Sequence, residues 1–221
     1  DEEMFAKLFS NPDFQPDLLK IYPCALLKKT PLHNLWEKGQ YKPYNEKQLI
    51  NLIKSIKKEI PYYVRIHRIT RDIPSQSIVA GPAKISNLRQ LIAGQVKCKC
   101  IRCREVRADY NPKEKLYLFR QDYQASGSKE IFLTFENRNR TKLYSLLRLR
   151  MIKVEPPSAI IREVHTYGQL VPISKKQIAP QHRGLGKKLI KEAEKIVYTE
   201  FNRSAKKESA SRRISAISGI G

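Results

Sequence analysis

The sequence predicts an α/β protein, and two groups of segments carry that prediction. The first group is a strand, an amphipathic helix and a second strand near the N-terminus, which is the order of an α/β unit. The second group is a run of β segments that leads into a strand, a short glycine-bearing loop and a long helix. A chain of 221 residues is long enough for one large domain or two modest ones.

Hydrophobic periodicity locates the elements of the first group. It predicts, in order, a strand, a short helix, an amphipathic helix, a strand and another short helix, at 19–23, 32–36, 46–60, 62–69 and 86–92. The rest of residues 1–45 carries strand and turn signals. Pro61 ends the amphipathic helix, and Ser86 is the expected N-cap of the last helix.

The second group follows from the same patterns. Alternating and β-branched segments predict a series of strands, at 116–119, 129–136, 146–151, 159–167 and 214–220. Asn137–Arg140 is the expected turn, and a helix is predicted from Leu185 to near Asn202. The polar tract 203–213 predicts a mobile connection between that helix and the last strand.

The charge balance favours a polyanionic partner. Lys and Arg number 43 against 21 Asp and Glu, and the formal net charge is +22. Such a surface repels itself unless a polyanion lies nearby, so nucleic acid is the first candidate. The sequence has no long apolar run, no signal-peptide pattern and no basic amphipathic helix with an aromatic face. We therefore expect no membrane partner.

Five basic residues are the candidate RNA contacts. Arg65, Arg68 and Arg71 lie on or just after the predicted strand at 62–69, and Lys99 and Arg102 lie among clustered cysteines. They form either a solvated basic face or a set of phosphate contacts, and the overall charge favours phosphate contacts.

Three of the four cysteines, Cys98, Cys100 and Cys103, lie within six positions, which predicts a metal site in a reducing compartment. Thiolates this close suit tetrahedral zinc, which would clip a loop too polar to bury itself. Free structural cysteines are the alternative, and an iron–sulfur cluster is disfavoured because a fourth nearby cysteine is missing. The fourth zinc ligand stays open among His67, His165, Asp109 and water. Cys24 has apolar neighbours and is expected in the core.

A glycine-bearing loop before the long helix is the candidate anion site, formed by Gln181, His182, Arg183, Gly184, Leu185 and Gly186. Glycine lets the backbone approach a ligand closely, and the free N–H groups and dipole of a helix N-terminus favour negative charge. Lys187 and Lys188 oppose that dipole, so an anionic ligand would stabilise them. A purely structural turn is the alternative.

The strand before this loop carries two catalytic candidates, Glu163 and His165. Strand alternation places them on one face together with Ile161 and Tyr167. A carboxylate raises the basicity of an imidazole, so the pair is a candidate general base beside an acyl donor. A structural hydrogen bond is the alternative role.

Several segments, in order, resemble the catalytic subunit of the Elongator complex. They are LKIYP at 19–23, LW at 35–36, GQYK at 39–42, RIHRITRDIP at 65–74, IREVHTYG at 161–168, VP at 171–172, QHRGLG at 181–186 and ISGIG at 217–221. Residues 132–150 also resemble that family. The three clustered cysteines resemble its zinc-binding segment, the zinc clip. The resemblance covers nearly the whole chain.

That family joins a radical S-adenosylmethionine (SAM) domain to a GNAT-type acetyltransferase domain. The resemblance implies the C-terminal part of a radical SAM partial barrel at 1–93, a zinc-binding linker at 94–115 and a GNAT-type acetyltransferase domain at 116–221. It also implies that the ligands of a 4Fe–4S cluster lie before Asp1 and that the acetyltransferase domain is incomplete at Gly221. The loop 181–186 then resembles the loop that holds the pyrophosphate of acetyl-CoA.

The implied function is modification of the wobble uridine of tRNA in the cytoplasm. Acetyl-CoA supplies the acetyl group, and a radical from SAM joins its methyl carbon to carbon 5 of the base, which gives a carboxymethyl group after hydrolysis. The implied partners are tRNA and either Elongator-like accessory subunits or a second copy of the chain. Two other functions stay open, a zinc-stapled RNA-binding module without catalysis and a protein lysine acetyltransferase.

Overall fold

The computed structural model describes residues 1–107, 110–111, 113–152, 158–168, 184–204 and 213–217. The chain divides into two compact units. The first unit comprises Asp1–Ser10 and Pro16–Cys103, and the second comprises Asn11–Gln15 and Arg104–Gly221. Helices and strands occur in both units, so the predicted mixed α/β class is confirmed. The domain boundaries expected from the sequence stay predictions.

The first unit is built around one parallel pair of strands. Its helices and strands are α1 (Glu2–Ser10), β1 (Leu18–Lys20), α2 (Pro31–Glu37), α3 (Glu46–Glu59), β2 (Arg65–Arg68), α4 (Leu88–Leu91) and α5 (Ile101–Arg104). Strands β1 and β2 run parallel, with Leu18 opposite Arg65 and Leu19 opposite Ile66. Parallel neighbours need a crossover connection, and α3 lies within it. The predicted strand–helix–strand unit is therefore confirmed.

Helix α3 is defined by its N-cap and by one apolar face. The Asn45 side chain accepts a hydrogen bond from the Gln48 backbone N–H at 2.8 Å, and the Gln48 side chain accepts one from the Asn45 N–H at 2.9 Å. This capping box satisfies two donors at the start of the helix. Leu49, Ile53 and Ile56 are buried, and each contributes roughly 1.5–3 kcal/mol relative to an exposed side chain.

The segments that follow β2 cover its second edge. The Ile101 N–H donates to the Val64 carbonyl at 2.9 Å, and the Arg89 guanidinium donates to the Ile66 carbonyl at 2.8 Å. Arg65, between those two residues, donates its N–H to Asp17 O on the β1 side at 2.8 Å. Alternate residues of a strand direct their backbone groups to opposite edges, so α4 and α5 hydrogen-bond to the edge of β2 that does not pair with β1.

Three expectations for the first unit are wrong. Residues 2–10, where strand and turn signals were expected, form helix α1. Glu2 and Glu3 lie in its first turn, where their negative charges interact favourably with the helix dipole. The residue at the N-cap position of α4 is Asn87 and not Ser86, and no side-chain hydrogen bond caps that helix. Cys24 is exposed, because β1 ends at Lys20 and the irregular segment after it lines a surface cavity.

The second unit is an open five-stranded sheet with one long helix. Its elements are β3 (Tyr117–Ala125), β4 (Ser128–Glu136), β5 (Leu143–Ile152), β6 (Ser158–Thr166), α6 (Leu185–Ser204) and β7 (Arg213–Ala216). The strand order in space is the same as the order along the chain, β3-β4-β5-β6-β7. The first four strands are antiparallel neighbours, whereas β6 and β7 are parallel. Helix α6 lies in the crossover between those two parallel strands.

The core of the second unit lies between α6 and one face of the sheet. Twelve residues form this cluster: Ile131, Leu133, Leu147, Leu149, Met151, Ala159, Ile161, Leu189, Ala193, Ile196, Val197 and Phe201. The helical members recur with the spacing of one helix face, and the strand members alternate along β4 and β5. The predicted helix and the antiparallel strands are thus confirmed together.

Strands β3 and β5 extend further than the sequence predicted. Strand β3 continues to Ala125 because Ser126 and Gly127 make a two-residue turn with φ of 49° and 72°. Two positive φ values match a turn whose twist suits an antiparallel hairpin. Strand β5 begins at Leu143 and not at 146. The expected turn at Asn137–Arg140 is confirmed, with the Arg140 N–H donating to Asn137 O at 3.0 Å.

Candidate functional site

The three clustered cysteines lie together in the first unit. The ligand atoms of Cys98, Cys100 and Cys103 all lie within 4.8 Å of one another. Zinc–sulfur bonds of about 2.3 Å at tetrahedral angles place sulfur atoms roughly 3.8 Å apart, so small movements would bring all three thiolates to one ion. Cys100 is buried, Cys98 is half-buried and Cys103 is exposed. The donor set fits zinc, and these three residues would hold it.

Hydrogen bonds link the thiols of this cluster and shift the pKa values of two of them. Hydrogen bonds from Cys100 and Cys98 lower the pKa of Cys103 to about 2, and the charge of Lys57 lowers it further. The Lys57 ammonium lies 3.4 Å from the Cys103 sulfur. The pKa of Cys98 is raised, first by its hydrogen bonds with Cys100 and Cys103. A bound cation would displace the thiol protons, because cysteines ligate metals as thiolates.

The cluster joins three elements of the first unit. Lys57 belongs to α3 and is buried, whereas Cys103 belongs to α5. Ile101, between the last two cysteines, is 1% exposed and hydrogen-bonds to the residue before β2. A metal at the cysteines would therefore hold α5 against α3 and β2.

Among the described residues, no fourth ligand lies with the three cysteines. Within the described ranges, no other histidine, cysteine or carboxylate joins the three cysteines. His67 is in the same unit but outside that group, and Asp109 lies outside the described residues. The identity of the fourth ligand stays open.

The five predicted RNA contacts all belong to the first unit, and their surroundings differ. Arg68 and Arg71 are exposed, and Arg68 forms an ion pair with Asp72. Lys99 lies 5.9 Å from the centre of the Tyr62 ring. Arg65 and Arg102 are half-buried. A role of these residues in RNA binding stays a prediction.

His67 lies among several of these cations. Burial lowers the pKa of its imidazole, and the positive charges of Lys20, Arg102, Arg65 and Arg68 lower it further. No local pattern in the sequence groups His67 with the basic residues of β1 and α5. Only the parallel pairing of β1 with β2 and the docking of α5 bring these charges together.

Strand β6 contains a β-bulge that the sequence did not predict. Arg148 of β5 pairs with Glu163, but the next residue, Leu149, pairs with Ile161, so Arg162 is the extra residue. An extra residue reverses the faces of the residues that follow it. Ile161 therefore faces the core under α6, and Glu163 faces the opposite side with Arg148. The expectation that Ile161 and Glu163 share a face is wrong.

The two catalytic candidates contact other residues. The Glu163 carboxylate accepts a hydrogen bond from Arg148 Nε at 2.8 Å. The ring of His165 lies 4.3 Å from that of Tyr167, and His165 is exposed. Glu163 is thus engaged by a neighbouring strand, and a catalytic role of either residue stays a prediction.

Buried carboxylates on this sheet were also missed from the sequence. Glu130 is fully buried and pairs with Arg150 and with the bulge residue Arg162, the latter at 2.8 Å. Glu136 is fully buried and pairs with Arg104 at 2.6 Å and with Arg140. Charges are buried only when they are paired, and Arg150, Arg162 and Arg104 lie 20 to 32 residues from the carboxylates they pair with.

The candidate anion loop lies partly in the described residues. Gln181, His182 and Arg183 lie outside them. Gly184 has φ of +65°, a conformation that favours glycine, and α6 begins at Leu185. A Cβ added to Gly184 would meet nothing within 4 Å, so open space adjoins the start of α6 in the described structure.

Comparison with known proteins places the chain in a family. The Radical_SAM C-terminal domain model matches residues 16–97. The tRNA uridine(34) acetyltransferase of Methanocaldococcus jannaschii is 41% identical over an alignment that covers 100% of this chain and 43% of that protein. Human Elongator complex protein 3 is 37% identical, with 100% and 42% covered. Along its whole length, the chain is homologous to the Elongator complex protein 3 family.

A solved structure of this family has the same fold. Methanocaldococcus infernus Elp3 with an N-terminal deletion superposes with a TM-score of 0.76 at 36% identity, covering 90% of this chain and 51% of that one. The chain spans less than half the length of the curated relatives it matches, 43% for the archaeal protein and 42% for the human one. In the part of the chain that the structure describes, no helix has the length and apolar character needed to cross a membrane.

Proposed function

We propose that this chain is part of a transferase that modifies the wobble uridine of tRNA, and that its second unit is a GNAT-type domain that binds acetyl-CoA. Two archaeal relatives, 41% and 39% identical, carry the name tRNA uridine(34) acetyltransferase. The formal charge of +22 supports an RNA partner. A tRNA substrate fits a cytoplasmic protein, and the Elongator relatives suggest accessory subunits as further partners.

The observation that carries the acetyl-CoA proposal is the β6–α6–β7 crossover. Because β6 and β7 are parallel, the chain must cross back to the amino end of β6 before β7 begins, and α6 lies within that crossover. Residues that follow β6 leave it at its carboxyl end. A Cβ added to Gly186 would lie 3.8 Å from Val164 Cγ1 and from Thr166 Oγ1, both near that end of β6. Ligands of open α/β sheets bind outside the carboxyl ends of strands.

The bulge supports a ligand site at the same end of β6. Strand β7 pairs with β6 from Ser158 to Ile161, and the Ile217 N–H still donates to Ile161 O at 3.0 Å. Within the described residues, β6 has no β7 partner beyond the Arg162 bulge. Bulges are frequent next to active sites, where they end strand pairing. A ligand could then hydrogen-bond to the backbone of Val164 and its neighbours.

The start of α6 has the chemistry that a pyrophosphate needs. The first intrahelical bond runs from the Lys188 N–H to Gly184 O at 3.1 Å. The preceding N–H groups therefore have no partner within the helix. Lys187 and Lys188 are exposed in this first turn. We assign the pyrophosphate contacts to the loop Gln181, His182, Arg183, Gly184, Leu185 and Gly186.

The first unit contributes the other cofactors of the proposal. Zinc would be held by Cys98, Cys100 and Cys103, where it would act structurally. SAM and a 4Fe–4S cluster belong to the proposal because residues 16–97 match the Radical_SAM C-terminal domain. Those groups would supply the radical that joins the acetyl methyl carbon to carbon 5 of the uridine.

The test is the fate of the acetyl carbon. The reconstituted holoenzyme is incubated with SAM, a reductant, tRNA and acetyl-CoA labelled with ¹³C in the methyl group, and the digested tRNA is read by mass spectrometry. We expect the label in the wobble nucleoside, and none in a matched tRNA with cytidine at that position. Label on protein lysines instead would identify a lysine acetyltransferase and contradict the proposal.

An RNA-binding module without catalysis is the second candidate. It is favoured by the ion pair of Glu163 with Arg148, because one of the two catalytic candidates is already engaged by a neighbouring strand. This candidate predicts salt-sensitive RNA binding together with no measurable binding of acetyl-CoA. Calorimetry with acetyl-CoA therefore separates the two candidates.

A further inference from the structure

We propose that Lys57 is an outer-sphere partner of the metal site, where its ammonium hydrogen-bonds to the thiolate of Cys103 and offsets the negative charge of the zinc–cysteine complex. The inference rests on the zinc that the proposed function places at Cys98, Cys100 and Cys103. It deepens that proposal, because it gives a role in metal binding to a residue outside the ligand set.

Lys57 occupies an interior position of helix α3. It is only 4% exposed, and the other buried residues of this helix are Leu49, Ile53 and Ile56. Its position four residues after Ile53 places it on the apolar face of the helix. Lysine is almost never buried to this extent unless its charge is paired. Helix packing alone would favour an aliphatic residue here, so the buried ammonium needs an anionic partner.

The partner of this ammonium is a sulfur atom. Lys57 Nζ lies 3.4 Å from Cys103 Sγ and donates a hydrogen bond to it. Among the described residues, no carboxylate forms an ion pair with Lys57. A neutral thiol is a weak acceptor without charge, so it compensates a buried ammonium poorly. A thiolate compensates it well, and cysteine ligates metals as the thiolate.

The charge of a zinc–cysteine complex accounts for a cation beside it. The three ligand sulfur atoms all lie within 4.8 Å of one another, so three thiolates here repel one another unless a cation lies among them. Zinc is a dication, so three thiolate ligands leave the complex with one excess negative charge. Cys100 is buried, and an uncompensated charge in a partly desolvated site is costly. The Lys57 ammonium, at hydrogen-bond distance, offsets that charge.

The same contact restrains Cys103 as a ligand. Cys103 belongs to α5, a helix of only four residues, and it is exposed, so packing restricts its side chain little. The hydrogen bond from the buried Lys57 restricts that freedom while the sulfur lies near those of Cys98 and Cys100. Outer-sphere hydrogen bonds of this kind orient metal ligands, and losing one typically costs about 10–100-fold in metal affinity.

The first test compares zinc affinity among matched variants of the protein. Lys57→Met replaces the ammonium by an apolar group of similar length, and Lys58→Met removes the same charge from the next, exposed position of α3. Competition with a chromogenic chelator should show an affinity for Zn²⁺ that is about 10–100-fold lower in Lys57→Met. Lys58→Met should change it by less than about twofold, because solvent screens an exposed charge. Equal losses in both variants would mean general charge attraction and overturn the role of Lys57.

A second measurement reports the hydrogen bond itself. Co²⁺ is bound in place of zinc, and its sulfur-to-metal charge-transfer absorption depends on the electron density at the thiolates. A hydrogen bond lowers the energy of the sulfur lone pairs, so Lys57→Met should move this absorption to longer wavelength, whereas Lys58→Met should not. An absorption that stays in place in Lys57→Met would overturn the hydrogen bond, since a change in packing alone weakens binding without this signature.

Two controls keep the outcomes distinct. Thermal unfolding in excess chelator shows whether Lys57→Met folds without metal. If it does not fold, Lys57→Gln takes its place, because it keeps a neutral donor, and we expect it to lose about fivefold in zinc affinity. Unaltered protein that binds no zinc would overturn both the zinc assignment and this inference. Unaltered protein that binds zinc with the same affinity as the variant at Lys57 would overturn the role of Lys57 alone.

Discussion

The Glu163 carboxylate accepts a hydrogen bond from Arg148 Nε at 2.8 Å across two neighbouring strands. This pair stands at the β-bulge, where Arg162 is inserted and the next residues of β6 change faces. The Arg148 side chain is only 4% exposed and its guanidinium also lies 5.0 Å from the centre of the Phe132 ring. Glu163 therefore neutralises the buried guanidinium of Arg148, and this ion pair stabilises the fold.

We predict that Glu163→Gln destabilises the protein. Arg148 would lose the Glu163 carboxylate from the contacts of its buried charge, and the expected loss is about 1–2 kcal/mol because Glu163 itself is partly exposed. Urea unfolding measures the change. His165→Gln is the control, and as an exposed substitution it should stay within about 0.5 kcal/mol. A stable Glu163→Gln protein that has lost transferase activity would instead make Glu163 a catalytic base.

Zinc removal is predicted to loosen the first unit. Cys100→Ser should abolish zinc binding and lower the melting temperature by on the order of 10 °C, because the free energy of structural metal binding is free energy of folding. Cys24→Ser is the matched control, since Cys24 is exposed and lies outside the cluster. Elemental analysis and thermal unfolding are the measurements. Native protein without zinc, or equal melting temperatures for both variants, would contradict the assignment.

Acid is predicted to weaken the attachment of α6 to the sheet. Burial raises the pKa values of Asp122 and Glu200, but hydrogen bonds from Arg120 and Lys129 outweigh it and hold both pKa values below the usual range. Lys129 Nζ lies 2.8 Å from Glu200 and 3.0 Å from Asp122. These contacts join α6 to β3 and β4.

The sign of the pH effect follows from the lowered pKa values. Stability from this network is fully present above the unfolded pKa values, near 3.8 and 4.5, and is lost as pH falls through the lower folded values. The melting temperature should therefore fall on acidification below about pH 4.5. Glu200→Gln should weaken that dependence, whereas the exposed Glu194→Gln should preserve it. Parallel pH profiles for the two variants would show that the network contributes nothing.

Local signals were sufficient to predict much of the fold. Helix α3 is predicted by apolar residues on one face and by Pro61 after it, and the structure contains both features. The capping box at Asn45 was not predicted. Helix α6 combines a glycine start with the same apolar spacing. The grouping of the three cysteines was also predictable, because side chains within six positions of one another in the sequence lie close together in space. Local sequence was enough where the determinants lie within one turn or one face.

The bulge and the buried charges could not be read from the sequence. Alternation along β6 looks regular, and only pairing with β5 reveals that Arg162 is an additional residue. Glu130 would ordinarily be exposed, and it is buried because Arg150 and Arg162 converge on it from other strands. The position of Arg102 near His67 likewise depends on α5 docking beside β2. Helix α1 is different, because it was missed although the acidic residues of its first turn, Glu2 and Glu3, are local to it.

The affinity for acetyl-CoA of two variants at Gly184 tests the central claim most directly. Asn and Asp both tolerate the positive φ of this residue, and open space adjoins it, so the two side chains differ mainly in charge. Calorimetry should give a moderate loss for Gly184→Asn and a further loss of at least about tenfold for Gly184→Asp, because a carboxylate would repel the pyrophosphate at the start of α6. Equal affinities for the two variants, or affinities equal to that of the unaltered protein, would contradict the assignment of the cofactor to this loop.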